Sequence, residues 1–162
     1  MQAVTEASAP EPDPDVVALE ALTRVLVGIA WDCAHAAPSE VTFPQTRLLL
    51  ILERMGRVPS SRLAAAMGVN ASSVTRLADK LEGLGYLARG RDEHNRSVVT
   101  VEVTESGRAL VGRLMDLRHA ALNSVLERMP GPQRRAAAAS ARRIVGAAAT
   151  LPGLGTAGPG PL

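Results

Sequence analysis

The chain has 162 residues, 46% of them apolar, and a net charge of +2, which suits one domain with a sizeable core. Only Trp31, Phe43 and Tyr86 are aromatic, so the core must be built from Leu, Val and Ala, a composition that favours packed helices over a β-sandwich. One cysteine, Cys33, excludes an internal disulfide and a cysteine-rich zinc site, and the three histidines lack metal spacing, so no metal or cofactor is expected.

No stretch approaches the roughly 18 apolar residues of a membrane span. The N-terminus carries acids where a signal peptide carries bases, so a cytoplasmic location without membrane contact is expected. The small net charge hides an asymmetry. Residues 1–20 hold five acids and no Lys or Arg, leaving eighteen basic against eleven acidic side chains in 21–162, a surplus that suits a polyanionic partner.

Residues 1–14 combine prolines, alanines and acids without periodicity and are expected to be disordered. Over 15–35, Leu19, Leu22, Leu26, Ile29 and Cys33 recur at spacings of three and four, an amphipathic helix whose stripe needs a partner surface. Pro38 breaks the pattern. Thr42 and Gln45 then form a capping box for a second helix that carries Leu48, Leu49, Ile51, Leu52 and Met55 and stops at Gly56.

Residues 59–84 read as helix, turn, helix. Pro59 suits the first turn, Leu63, Ala64 and Met67 face inward, Gly68 supplies a positive φ, Val69 plugs the turn, and Asn70 caps the next helix. On that helix, at about 100° per residue, Val74, Leu77, Ala78, Leu81 and Leu84 share one arc; Ser72, Ser73, Thr75, Arg76, Asp79 and Lys80 share the other. This is helix-turn-helix spacing. Two β-like runs, 88–91 and 97–103, flank the polar loop Asp92-Glu93-His94-Asn95-Arg96. Thr104 caps a helix to about 129 with Leu110, Leu114, Leu117, Ala121 and Val125 as its stripe, Pro130-Gly131-Pro132 stops it, and a last Ala/Arg-rich helix runs to about 149. Residues 150–162 form a Gly/Pro tail, expected to be disordered.

The fold class is therefore mainly α with a small β-hairpin (α+β). The single domain spans 15–149, with a winged helix-turn-helix core at about 42–104 framed by helices at 15–36 and 105–149. Thr42-x-x-Gln45-x-Arg47, Ser61-x-Leu63-Ala64, Ser73-Val74-Thr75-Arg76-Leu77-x-Asp79-x-Leu81-Glu82, Asp92-x-x-Asn95-Arg96 and Val103-Thr104-Glu105-Ser106-Gly107 together resemble the MarR (multiple antibiotic resistance regulator) family. The chain departs from the family pattern in the wing, with Asn95 and Ser97 where Asp and a second Arg are common, and at Pro59, where a Thr cap is common.

The resemblance implies a homodimeric transcriptional regulator, most often a repressor, joined through the terminal helices and bound to double-stranded DNA at a pseudo-palindrome with half-sites about 10 bp apart. Ser61, Ser72, Ser73, Thr75, Arg76 and Lys80 are the candidate contacts of the helix-turn-helix; Arg89, Arg91 and Arg96 are those of the wing. Arg76 has the geometry to read guanine, Lys80, Arg89 and Arg91 suit phosphate, and Arg96 suits a minor groove. Asp92 is the wing support, expected to hold Arg91 or Arg96, and Asp79 is expected to pair with an arginine.

The resemblance further implies a small aromatic or anionic effector, with Trp31, His35, Phe43 and Arg47 as its candidate site. Cys33 raises a redox-responsive alternative, although its place near a helix C-terminus disfavours a thiolate. A protein-interaction module or a non-specific architectural DNA binder are the other readings. An enzyme is not expected, since no nucleophile has a matching base and no phosphate loop is present.

Overall fold

The structure, a computed structural model, describes residues 12–151, so most of the expected disordered lead (1–14) and tail (150–162) lies outside the described residues. The elements run α1 (Pro14–His35), α2 (Phe43–Met55), β1 (Val58–Pro59), α3 (Ser60–Met67), α4 (Ala71–Gly83), β2 (Leu87–Arg91), β3 (Val99–Val103), α5 (Glu105–Glu127) and α6 (Gly131–Ala148).

α2 is the centre of the core. Gln45 Oε1 accepts from Thr42 N at 2.7 Å and from Thr42 Oγ1 at 3.0 Å, starting the helix as its capping box predicts. Gly56, at φ 68°, ends it. All five residues from Leu48 to Leu52 are buried because α1, α3, α4, α5 and β3 surround the helix. Each such aliphatic side chain contributes about 1.5–3 kcal/mol through burial.

The expected hairpin is part of a three-stranded antiparallel sheet, ordered β1-β3-β2. Val58 pairs with Val101 and Pro59 with Thr100, which corrects the placement of Pro59 in the first helical turn. With φ −57° and ψ 140° it is the extended residue that precedes α3. An edge strand tolerates its missing N–H. β2 and β3 pair from Leu87↔Val103 to Arg91↔Val99, so β3 begins two residues later than the Val/Thr run suggests. Ser97 and Val98 belong to the turn instead, where Val98 N donates to the Asn95 carbonyl at 2.9 Å.

Thr104 caps α5 by accepting from Gly107 N at 3.1 Å, and its hydroxyl donates to the Gly85 carbonyl at 2.6 Å. Leu110, Val111 and Leu114 of α5 join the buried cluster, so the winged-helix core extends past residue 104. The rest of the frame is open. On α1 only Ala30, Cys33 and Ala34 are buried, while Leu19, Leu22 and Leu26 stay 44–46% exposed. Leu117 and Val125 of α5 are exposed as well, and no residue of α6 is buried. Among the described residues no helix is long and apolar enough to cross a membrane.

Candidate nucleic-acid interface

α3 and α4 meet at a turn set by glycine. Gly68 takes the left-handed conformation, φ 66° and ψ 32°, which side-chain-bearing residues adopt at a cost. Val69 N donates to the Ala64 carbonyl at 3.2 Å, closing α3. The Val69 side chain, however, is 38% exposed; it does not plug the turn as its apolar character suggests. Asn70 caps α4 as expected: Oδ1 accepts from Ser73 N and from Ser72 Oγ, both at 2.8 Å.

Val74, Ala78 and Leu81 press α4 into the core at 0–1% exposure. That leaves Ser72, Thr75, Arg76, Asp79 and Lys80 facing outward, with Ser73 half-buried at the rim and Ser61 exposed on α3. The Thr75 hydroxyl donates back to the Ala71 carbonyl at 3.0 Å, leaving its lone pairs to accept. Among the described residues the Arg76 guanidinium and the Lys80 ammonium have no intramolecular partner. Both cations are free to meet an external anion.

The wing is organised by arginines that bond to the protein itself. Arg89 lies against Asp79 at 2.6 Å and Glu82 at 3.1 Å, and Nη2 donates to the Thr75 carbonyl at 3.3 Å. Asp79 thus has the arginine partner that the sequence suggests. Arg91 Nη1 donates to the Arg96 carbonyl at 2.7 Å. Arg57, which the sequence reading passed over, donates from Nε to Thr100 Oγ1 at 3.2 Å and from Nη2 to the Arg91 carbonyl at 3.0 Å.

Asp92 supports the wing differently from expectation. Its Oδ1 accepts from His94 N at 2.9 Å and Asn95 N at 3.0 Å, capping the loop's own backbone; neither Arg91 nor Arg96 is its hydrogen-bond partner. The two backbone N–H groups, His94 first, hold its pKa below the ordinary carboxylate value. A carboxylate followed by two or three polar residues satisfies local donors more cheaply than it recruits a distant side chain. Arg96 at the tip remains exposed, and its guanidinium has no partner among the described residues.

Away from this face, Trp31, His35 and Phe43 come together. The Trp31 ring lies 4.9 Å from each of the other two rings, centroid to centroid, and His35 Nδ1 lies 2.8 Å from the Trp31 carbonyl. They form part of the wall of a cleft of about 190 Å³, with Val41 and Thr42. Arg47, one turn beyond Phe43 on α2, is not among its walls. Trp31 is 49% exposed, and Cys33 is buried.

Helix, turn and reading helix backed by an antiparallel wing define a winged helix-turn-helix DNA-binding domain. Residues 41–99 match the model of the MarR family. Over 121 residues, 75% of this chain and 74% of the other, the chain is 28% identical to the HTH-type transcriptional regulator YfiV of Bacillus subtilis. It superposes on RV1404 of Mycobacterium tuberculosis with a TM-score of 0.75 and 26% identity, covering 86% of this chain and 97% of that one. FabT of Streptococcus pneumoniae, solved in complex with DNA, shares the fold at a TM-score of 0.65 and 18% identity over 80% and 91% of the two chains. Over that segment, and in its overall fold, the chain is similar to the MarR family of transcriptional regulators.

Proposed function

We propose that the chain is a homodimeric repressor that reads a pseudo-palindromic operator through α4, with the wing on the adjoining backbone. The observation that carries this reading is the outward face of α4. Arg76 and Lys80 stand there unpaired beside Thr75 and Ser72, on a helix whose opposite face is locked in the core. Arg76 would meet a guanine edge, Lys80 a phosphate, and Arg96 the minor groove.

The open frame supports a dimer. Leu19, Leu22 and Leu26 on α1, Leu117 and Val125 on α5, and Ile144 and Val145 on α6 are all exposed in the single chain, a larger apolar display than a monomer keeps in water. Arg118 on α5 is 7% exposed and its Nε has no hydrogen-bond acceptor. The cleft at Trp31, His35 and Phe43 is small, about 190 Å³, and walled by aromatic rings without a Lys or Arg; an effector seated there would be a small aromatic molecule acting by favouring one of two conformations of the dimer.

The test is a titration at several salt concentrations, comparing DNA from upstream of the protein's own reading frame with scrambled DNA. Tighter binding to the upstream fragment is expected. Equal affinity would reject sequence-specific regulation, and binding to neither would favour a protein-interaction role.

A further inference from the structure

Arg89 lies on β2, the strand leading into the wing, and only 28% of its side chain is exposed. Its three acceptors, the Thr75 carbonyl, Asp79 Oδ1 and Glu82 Oε2, rise along two turns of one edge of α4. One planar fork therefore spans the reading helix from its middle to its end, a geometry that suits a guanidinium and not an ammonium. Asp79 and Glu82 are 55% and 42% exposed, and left bare on the DNA-facing helix they would repel phosphate.

We propose that Arg89 is a positioning residue that holds the wing strand against the reading helix and cancels that helix's two carboxylates, without itself touching phosphate. This rests on the DNA-binding reading above. It replaces the sequence-based assignment of Arg89 as a backbone contact.

Counting charges and clamping predict opposite results for one variant. Asp79→Asn with Glu82→Gln makes the DNA face more positive by two and frees Arg89. If Arg89 were a phosphate contact, this variant would bind upstream and scrambled DNA more tightly alike, with their ratio unchanged. A clamp predicts that the ratio falls about tenfold while affinity for scrambled DNA holds or rises, and that Arg89→Ala lowers the same ratio. Arg89→Lys, which keeps the charge and loses the fork, should fall between wild type and Arg89→Ala. An unchanged ratio in both the carboxylate variant and Arg89→Ala overturns the proposal.

A second measurement needs no DNA. In thermal unfolding of the wild type, Arg89→Ala, the carboxylate variant and their combination, a clamp makes the combination melt close to the less stable parent, because both changes remove one interaction. Losses that simply add, or no loss at all, overturn it. Equal wild-type affinity for both DNAs would refute the functional reading, and the unfolding series would still decide the clamp.

Discussion

Arg57 Nη2 donates to the Arg91 carbonyl at 3.0 Å, tying the turn after α2 to the outer strand of the wing. The approach passes over Gly90: a Cβ there would lie 2.7 Å from Arg57 Nη2 and 3.2 Å from Thr100 Oγ1. The far end of an arginine moves at little cost. Gly90→Ala is therefore expected to leave the global unfolding midpoint within about 1 kcal/mol of wild type while speeding amide exchange at Arg91 and Thr100, which hydrogen-exchange spectrometry would detect.

Gly107 is the opposite case. A Cβ there would overlap the Tyr86 carbonyl oxygen and crowd the Val103 side chain, and Tyr86 also receives Thr104 N at 3.2 Å. The Tyr86 backbone, fixed by that bond, cannot step aside. Gly107→Ala should cost about 1–3 kcal/mol through overpacking, measured by urea unfolding; a midpoint equal to wild type would mean that α5 shifts freely against the sheet.

Arg76→Ala should narrow discrimination between the upstream fragment and single-base variants of it by about 1–3 kcal/mol at one position per half-site. Lys80→Ala should weaken all DNA similarly and reduce the slope of log K against log salt by about one. If Arg76→Ala left the ranking of DNA sequences intact, Arg76 would leave the base-reading set.

The Asp92 carboxyl titrates below its ordinary value because its charged form accepts the His94 and Asn95 N–H groups. A group depressed on folding stabilises the fold at pH values above its unfolded pKa, and that contribution disappears as pH falls through the folded one. The wing loop should keep its order at neutral pH and loosen only in acid, below the usual carboxylate range. Asn95 amide exchange followed from pH 7 to pH 3 checks the sign, and Asp92→Asn should show no such acid transition.

In the proposed dimer, Leu22 and Leu26 would face a partner; each is about half exposed in the single chain. Leu22→Glu with Leu26→Glu should yield a folded monomer by light scattering at micromolar concentration, with affinity for a two-half-site DNA reduced by at least about tenfold. A variant that stays dimeric would move the interface elsewhere on the frame.

Those parts of the fold with short-range physics were readable from residue order. Thr42 with Gln45, Gly68 with Asn70, and Thr104 with Gly107 are each decided within four positions. What escaped was set at a distance. Val58 and Pro59 carry no strand signal of their own and become β1 only because Val101 and Thr100 offer an unpaired edge. Arg57 and Thr100 stand 43 positions apart, though Gly90 in the middle of a strand was a clue that something passes close by. Val69 looked like a plug because it is apolar; nothing local reveals that the turn leaves it outside. At the site, the residues of α4 were identifiable from helical spacing, whereas the partners of Arg89, Arg91 and Asp92 depended on how the wing folds back.

Val74, Ala78 and Leu81 hold α4 in place, and Arg76 and Lys80 on its other face contribute no bond to the rest of the described chain. If α4 reads DNA as proposed, stability and sequence preference are written in different letters of the same helix. On the proposed reading, a lineage carrying this scaffold can exchange Arg76 to shift its operator and Lys80 to tune its overall affinity, each with little penalty in folding, while the residues that keep the helix seated stay as they are.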